Sequence, residues 1–144
     1  MTAEEEVRGA SKQFYIALNQ MANGDAGSMA DGWSHGSEVT AMHPIEGREI
    51  GWDAVNASFG QFAQVATDGA IALNDQAIRV NGDVAYELGV EEGTCKLGGH
   101  PVEFRHRVTN IYRREDGGWR MIHHHSDTSP AMLDALAKLG GGAG

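Results

Sequence analysis

Cysteine is almost absent. Cys95 stands alone among 144 residues, which excludes an intramolecular disulfide or a cysteine metal cage and suits a reducing compartment. No apolar run approaches the roughly 20 residues of a bilayer span, and the opening Met-Thr-Ala-Glu-Glu-Glu-Val has neither the basic nor the apolar region of a signal peptide. A cytoplasmic protein with no membrane partner is expected. Positive charge is scarce too: 11 Lys and Arg against 20 Asp and Glu leave a formal net charge of -9, which repels phosphate backbones and anionic lipid. Only Arg105, Arg107, Arg113 and Arg114 gather together, so nucleic acid is not an expected partner. Internal repeats and interdomain linkers are also missing.

What is present suits one globular domain. Hydrophobic residues at 41% and charged residues at 22% are ordinary values that indicate neither wholesale disorder nor a membrane protein. A single domain over 1–139 is expected, followed by a tail, 140–144, too Gly-rich to order on its own. Residues 4 to 22 read as an amphipathic helix with Val7, Phe14, Ile16 or Ala17, Leu18 and Met21 near one stripe. A short helix from Asp25 to Asp31, a strand from Glu38 to His43 broken by Pro44, and a helix from Asp53 to Ala66 follow. From residue 70 the pattern is strand after strand, over 70–80, 84–96, 101–114 and 119–127, with turns at Asn81-Gly82 and Gly98-Gly99. A terminal helix over 129–139 closes the chain. Helices first and an antiparallel meander after give an α+β fold, with the helices covering one face of a curved sheet.

The segment Tyr112 to Asp127 carries the chemistry, because its closing strand holds three consecutive histidines. Strand alternation puts His123 and His125 on one face and His124 on the other. A two-residue Gly117-Gly118 loop sets Tyr112 opposite His123 and Asn110 opposite His125. The expected inward set is therefore His106, Val108, Asn110, Tyr112, Trp119, Met121, His123 and His125. Arg105, Arg107, Thr109, Ile111 and Arg113 look solvated. Imidazoles on one face can exchange protons, hydrogen-bond a polar ligand or bind a metal.

Three segments together resemble the nuclear transport factor 2-like superfamily, in particular its SnoaL-like and ketosteroid isomerase-like members. They are Phe14-Tyr15-Ile16-Ala17-Leu18-Asn19 with Gly24-Asp25, Val39-Thr40-Ala41-Met42-His43-Pro44 with Gly47 and Gly51, and Arg113-Arg114-Glu115-Asp116-Gly117-Gly118-Trp119 running into the histidines. The resemblance spans about residues 4 to 128 and implies a cone: a curved antiparallel sheet with N-terminal helices on its concave face, as in cystatin-like folds. It also implies metal-free chemistry without a cofactor. The cone hosts isomerases, dehydratases, cyclases and noncatalytic binding or oligomerisation domains. In ketosteroid isomerases a catalytic Asp precedes a proline after the first strand, and His43 holds that position here. The isomerase's oxyanion tyrosine aligns with Phe14, one place from Tyr15, and its protonated Asp has no counterpart. Scytalone dehydratase, another relative, works with histidines, tyrosines and an Asp. The closing strand also resembles the association domain of calcium/calmodulin-dependent kinase II, a noncatalytic setting in which alternate histidines recur.

Two functions follow as expectations. One is an isomerase, dehydratase or cyclase acting on a hydrophobic carbonyl compound, with His43, His125 and Tyr15 catalytic. In it Trp33, Phe59, Phe62, Tyr86, His106, Asn110, Tyr112 and His123 line the pocket. The other is a noncatalytic ligand-binding or oligomerisation module, in which His43 only supports the turn at Pro44 and the paired histidines are satisfied by neighbours or a dimer interface. A His-x-His pair with His106 or His43 has the spacing of a three-nitrogen metal site, which the resemblance argues against. Asp31 and Asp127 are carboxylates that can orient an imidazole if within about 3 Å. A homodimer through the outer face of the sheet is expected, because helices cover only one face.

Overall fold

The structure is a computed structural model that describes residues 1–141. Its first helix, α1 (Ala3–Met21), starts at Thr2, whose hydroxyl accepts from the Glu5 amide at 3.1 Å, with Glu4, Glu5 and Glu6 in the positive first turn. Ala17, not Ile16, joins Val7, Phe14, Leu18 and Met21 on the buried stripe, and Ile16 is exposed. The expected short helix shrinks to a 3₁₀ turn at Met29–Gly32, because the Asp25 carboxylate is used by the Gly27 amide in a local turn. Strands β1 (Thr40–Met42) and β2 (Glu49–Ile50) lead into α2 (Trp52–Val65), which buries Val55, Phe59 and Ala63.

Four long strands complete the sheet: β3 (Ala66–Asn81), β4 (Val84–Leu97), β5 (His100–Glu115) and β6 (Gly118–Ser126). The order is β2-β1-β6-β5-β4-β3, antiparallel except where β1 runs beside β6. β3 carries irregularities between Thr67 and Ala70 and between Asn74 and Ala77, where Asp68 and Asp75 adopt left-handed φ of 53° and 54°. Such bulges bend a strand and increase its twist, giving the sheet a concave face for α1 and α2. Asn19 on the last turn of α1 and Asn23 in the turn just after it tie the helix to β3. Each side-chain amide donates to and accepts from one backbone position, Ile71 for Asn19 and Gly69 for Asn23.

A second apolar cluster closes one end of the cone, where Met132 and Ala135 of α3 (Pro130–Gly141) pack with Cys95, Leu97, Val102 and Phe104. α3 includes Gly140 and Gly141, the first two residues of the expected tail, and 142–144 lie outside the described residues.

β5 alternates as its sequence implies, with Val102, Phe104, His106, Val108, Asn110 and Tyr112 all buried. β6 does not. Near the turn Tyr112 pairs with Met121, but Ile111 pairs with His123, so Ile122 is an extra residue and the parity of everything after it reverses. His124 and Ser126 therefore face inward, opposite Asn110 and Val108, while His123 and His125 face outward. The expected orientation of all three histidines is thus corrected. The loop is Asp116-Gly117, not Gly117-Gly118; it keeps two residues, so the bulge alone causes the reversal.

Candidate functional site

Strand pairing brings His43 to the cavity. β1 aligns Ala41 with the inward His124, and alternation carries His43, two residues further on, to the same face. Its ring lies edge-on to Phe59 at 4.9 Å and 6.2 Å from the His124 ring. His43 Nε2 is 2.7 Å from the Ser58 hydroxyl of α2. The enclosed space is about 50 Å³, walled by Leu18, Met21, Phe59, Phe62, Phe104 and Met132, and His43, His106, His124 and Glu91 also reach it. Apolar walls with a few convergent polar groups are what small-molecule sites look like.

Behind the cavity a directed hydrogen-bond network crosses the core. Tyr15 donates to Glu91 at 2.8 Å, and His106 Nε2 meets the other Glu91 oxygen at 2.8 Å. The Asn110 amide donates to Tyr15 Oη and to Glu87, and Glu87 also accepts from Tyr112 and Gln76. Because Asn110 Nδ2 is committed to these acceptors, its Oδ1 receives His124 Nδ1–H at 2.6 Å, which places the hydrogen of His124 on Nδ1. Both glutamates are buried, Glu87 at 0% and Glu91 at 3% exposure. Carboxylates so placed survive only when donors surround them.

Burial lowers the His43 pKa to about 4, with the nearby His124 acting in the same direction and Glu91 opposing. Burial also lowers His124. It would raise Glu91, but the His106 hydrogen bond, the neighbouring imidazoles and Tyr15 together hold that carboxyl below its usual range. Burial, then the Glu91 charge, pushes the Tyr15 phenol well above its ordinary value. Burial likewise takes the Cys95 thiol up to about 11, so it stays protonated at the cavity wall.

These shifts carry a sign. The folded protein prefers His43 and His124 neutral, whereas the unfolded chain takes up protons below about 6.5, so their contribution is fully present above that pH. It is lost as pH falls from about 6.5 toward 4. The urea midpoint is therefore expected to drop across that window, and to drop less steeply in His43→Gln. A midpoint constant from pH 7 to pH 5 would contradict the buried neutral state.

The structure gathers only some of the expected residues. His43 and His106 line the cavity with Phe59 and Phe62; Tyr15, Asn110 and Tyr112 form the network behind it, and Trp33 and Trp119 are core. His123 and His125 are on the outer face, where His123 Nδ1 meets the Thr40 hydroxyl at 2.6 Å. That face is opposite to His43 and His106, so the envisaged three-nitrogen metal site is not assembled. Tyr86 is 45% exposed, because β4 turns Ala85 and Glu87 inward and its apolar stripe Val84, Tyr86 and Leu88 outward. Asp127 pairs with Arg107 on the surface rather than with an imidazole.

Glu87, Glu91 and Ser58 were not singled out by the sequence. Alternation does group Ala85, Glu87, Gly89 and Glu91 on one face of β4, but hydrophobicity favours burying the other face. Only the donors from α1, β3 and β5 make the glutamates the inward set.

Solved structures of similar shape show what the fold resembles. A protein from Streptomyces avermitilis, provisionally named a dehydratase of the NTF2-like family, is 23% identical over 88% of this chain and 96% of its own, with a TM-score of 0.75. An NTF2-like superfamily protein from Salmonella enterica is 18% identical over 87% and 89%, with a TM-score of 0.77. A protein from Thiobacillus denitrificans, provisionally named a calcium/calmodulin-dependent protein kinase type II association domain, is 23% identical over 85% and 94%, with a TM-score of 0.68. At these identities the likeness is one of fold. No curated protein matches the chain in sequence. The SnoaL-like domain family does match, over residues 7–132, and with the curved sheet and helix-covered concave face this chain belongs to that family.

Proposed function

We propose that the chain is a cofactor-independent enzyme of the isomerase or dehydratase kind, acting on a small hydrophobic carbonyl compound by proton transfer through His43. The observation that carries this reading is a buried apolar cavity in which a neutral His43 stands near His124, His106 and Glu91. A neutral imidazole can take a proton from one carbon of the substrate and return it to another, or to a departing hydroxyl, so the same ring serves as base and then as acid. Perturbed titratable groups meeting in one cavity are the usual mark of such a site. The provisional name of the Streptomyces relative, a dehydratase, points the same way. Tyr15 and Asn110 serve here as supports behind Glu91 and His124. The test is turnover of small carbonyl compounds by the wild-type chain and by His43→Ala.

A noncatalytic binding module is the second reading, favoured by the cavity's volume of about 50 Å³, room for little more than a water or two without movement of the walls. Binding without turnover across a panel of carbonyl ligands, followed by thermal shift, would select it.

We further propose a homodimer through the convex face of the sheet, in a cytoplasmic setting that suits the lone buried thiol. Val84, Tyr86 and Leu88 form an exposed apolar stripe there, beside the half-buried Ile111 of β5. Apolar side chains in a contiguous stripe favour being covered. Light scattering at micromolar concentration is expected to give twice the chain mass, and a monomer would overturn the interface.

A further inference from the structure

The Ser58 hydroxyl has one proton and two close neighbours. Its oxygen lies 2.6 Å from the Val55 carbonyl oxygen and 2.7 Å from His43 Nε2. Two oxygens at 2.6 Å repel unless a proton lies between them, and a carbonyl has none to give. Ser58 therefore donates to Val55, the residue three before it on α2, as serines within helices often do. What it turns to the imidazole is a lone pair. His43 Nε2 must carry the hydrogen, and in the neutral ring the unprotonated nitrogen is Nδ1.

Nothing in the described chain occupies that Nδ1. Ser58 is the hydrogen-bond partner of the ring, through Nε2. Pro44, the next residue, has no N–H to offer. The sealed, unpartnered side-chain atoms among the described residues are Trp33 Nε1, His106 Nδ1 and Trp119 Nε1, so Nδ1 of His43 is unpartnered without being closed off. Of the groups around His43, Glu91 on β4 and His124 on β6 act on its charge, while His106 on β5 is held by Glu91. None of them hydrogen-bonds the His43 ring, so none competes with Ser58 in choosing which nitrogen is protonated.

We propose that Ser58 is a positioning residue that locks His43 in the Nε2–H tautomer and thereby leaves Nδ1 bare as the atom that meets a ligand. As a statement about the accepting atom in proton transfer it rests on the enzymatic reading above. As a statement about the tautomer it stands without it.

Histidine-labelled ¹⁵N NMR of the full chain at pH 7 tests it, with His43→Gln identifying the resonances. The wild-type ring is expected to show a protonated Nε2 and a bare Nδ1. Ser58→Ala keeps a good helix former but removes the acceptor, so both tautomers should become populated. Ser58→Thr keeps a hydroxyl that can make the same backward bond and should restore the wild-type pattern. A proton on Nδ1 in the wild type, or an unchanged tautomer in Ser58→Ala, would overturn the proposal. Where a substrate is in hand, Ser58→Ala should lower kcat about two- to tenfold, the worth of one hydrogen bond, with KM little changed. If His43→Ala keeps full turnover while Ser58→Ala still shifts the tautomer, proton transfer through His43 falls and tautomer control stands as a property of the cavity wall.

Discussion

Replacing His43 with alanine is expected to cut turnover by about 10² to 10⁴, the usual contribution of a positioned proton donor or acceptor, while leaving fold and ligand affinity largely intact. The fold should tolerate the change because it leaves no buried group stranded. Ser58 still donates to the Val55 carbonyl, and the lost bond to its lone pair is worth about 1 kcal/mol. If His43 serves only to steady the chain at Pro44, the stability change should be similar but activity should fall only with the amount of folded protein. Melting temperature and turnover measured on one sample separate the two cases, and a wild-type rate from the alanine variant would end the catalytic role.

Glu87→Leu is expected to be the most damaging change to the fold itself. Leucine restores apolar burial but strands Tyr112 Oη, one Asn110 hydrogen and Gln76 Nε2, all of which donate to this carboxylate. At about 1–3 kcal/mol for each unsatisfied buried donor, the loss should reach about 3 kcal/mol or more. Glu87→Gln should be far milder. Gln76 can turn its amide over so that its oxygen accepts from the new side chain, giving up its exposed bond to Arg8 and a long one, 3.4 Å, to the Ser11 hydroxyl. Urea unfolding of both variants decides it. Equal stability of Glu87→Leu and wild type would mean that the network contributes little, and a Glu87→Gln variant as unstable as the leucine one would mean that Gln76 cannot turn.

The same residues show where sequence reasoning stops. Along β5, every second residue from Val102 to Tyr112 is apolar or able to hydrogen-bond inward, so alternation placed His106, Asn110 and Tyr112 correctly. The element order and the helix-covered sheet were legible for the same reason, since period and turn residues are local. In β6 a single bulged residue, Ile122, reversed three histidines. No glycine or proline marks it, because the run Met-Ile-His-His-His fits either parity. On β4 the preference for burying apolar side chains pointed the wrong way. Val84, Tyr86 and Leu88 face out because Glu87 and Glu91 find partners on three other elements, and that is long-range information. Ser58 was invisible as a site residue because a serine on a helix has no signature until the imidazole beside it is known.

The two asparagines that tie α1 to β3 have a consequence for how copies of the chain meet. β3 ends the sheet, and a strand at an edge offers its free amides and carbonyls to any passing strand. At Gly69 and Ile71 those groups are already taken, each by an asparagine amide that donates and accepts as a neighbouring strand would. The helix and the turn that follows it thus supply a counterfeit seventh strand, two rungs long. Sheet-to-sheet growth along this margin is obstructed at those rungs, in keeping with the proposal that copies meet through the outward stripe of Val84, Tyr86 and Leu88 instead. Association that stacks faces closes after two copies, whereas association that joins edges can continue without limit.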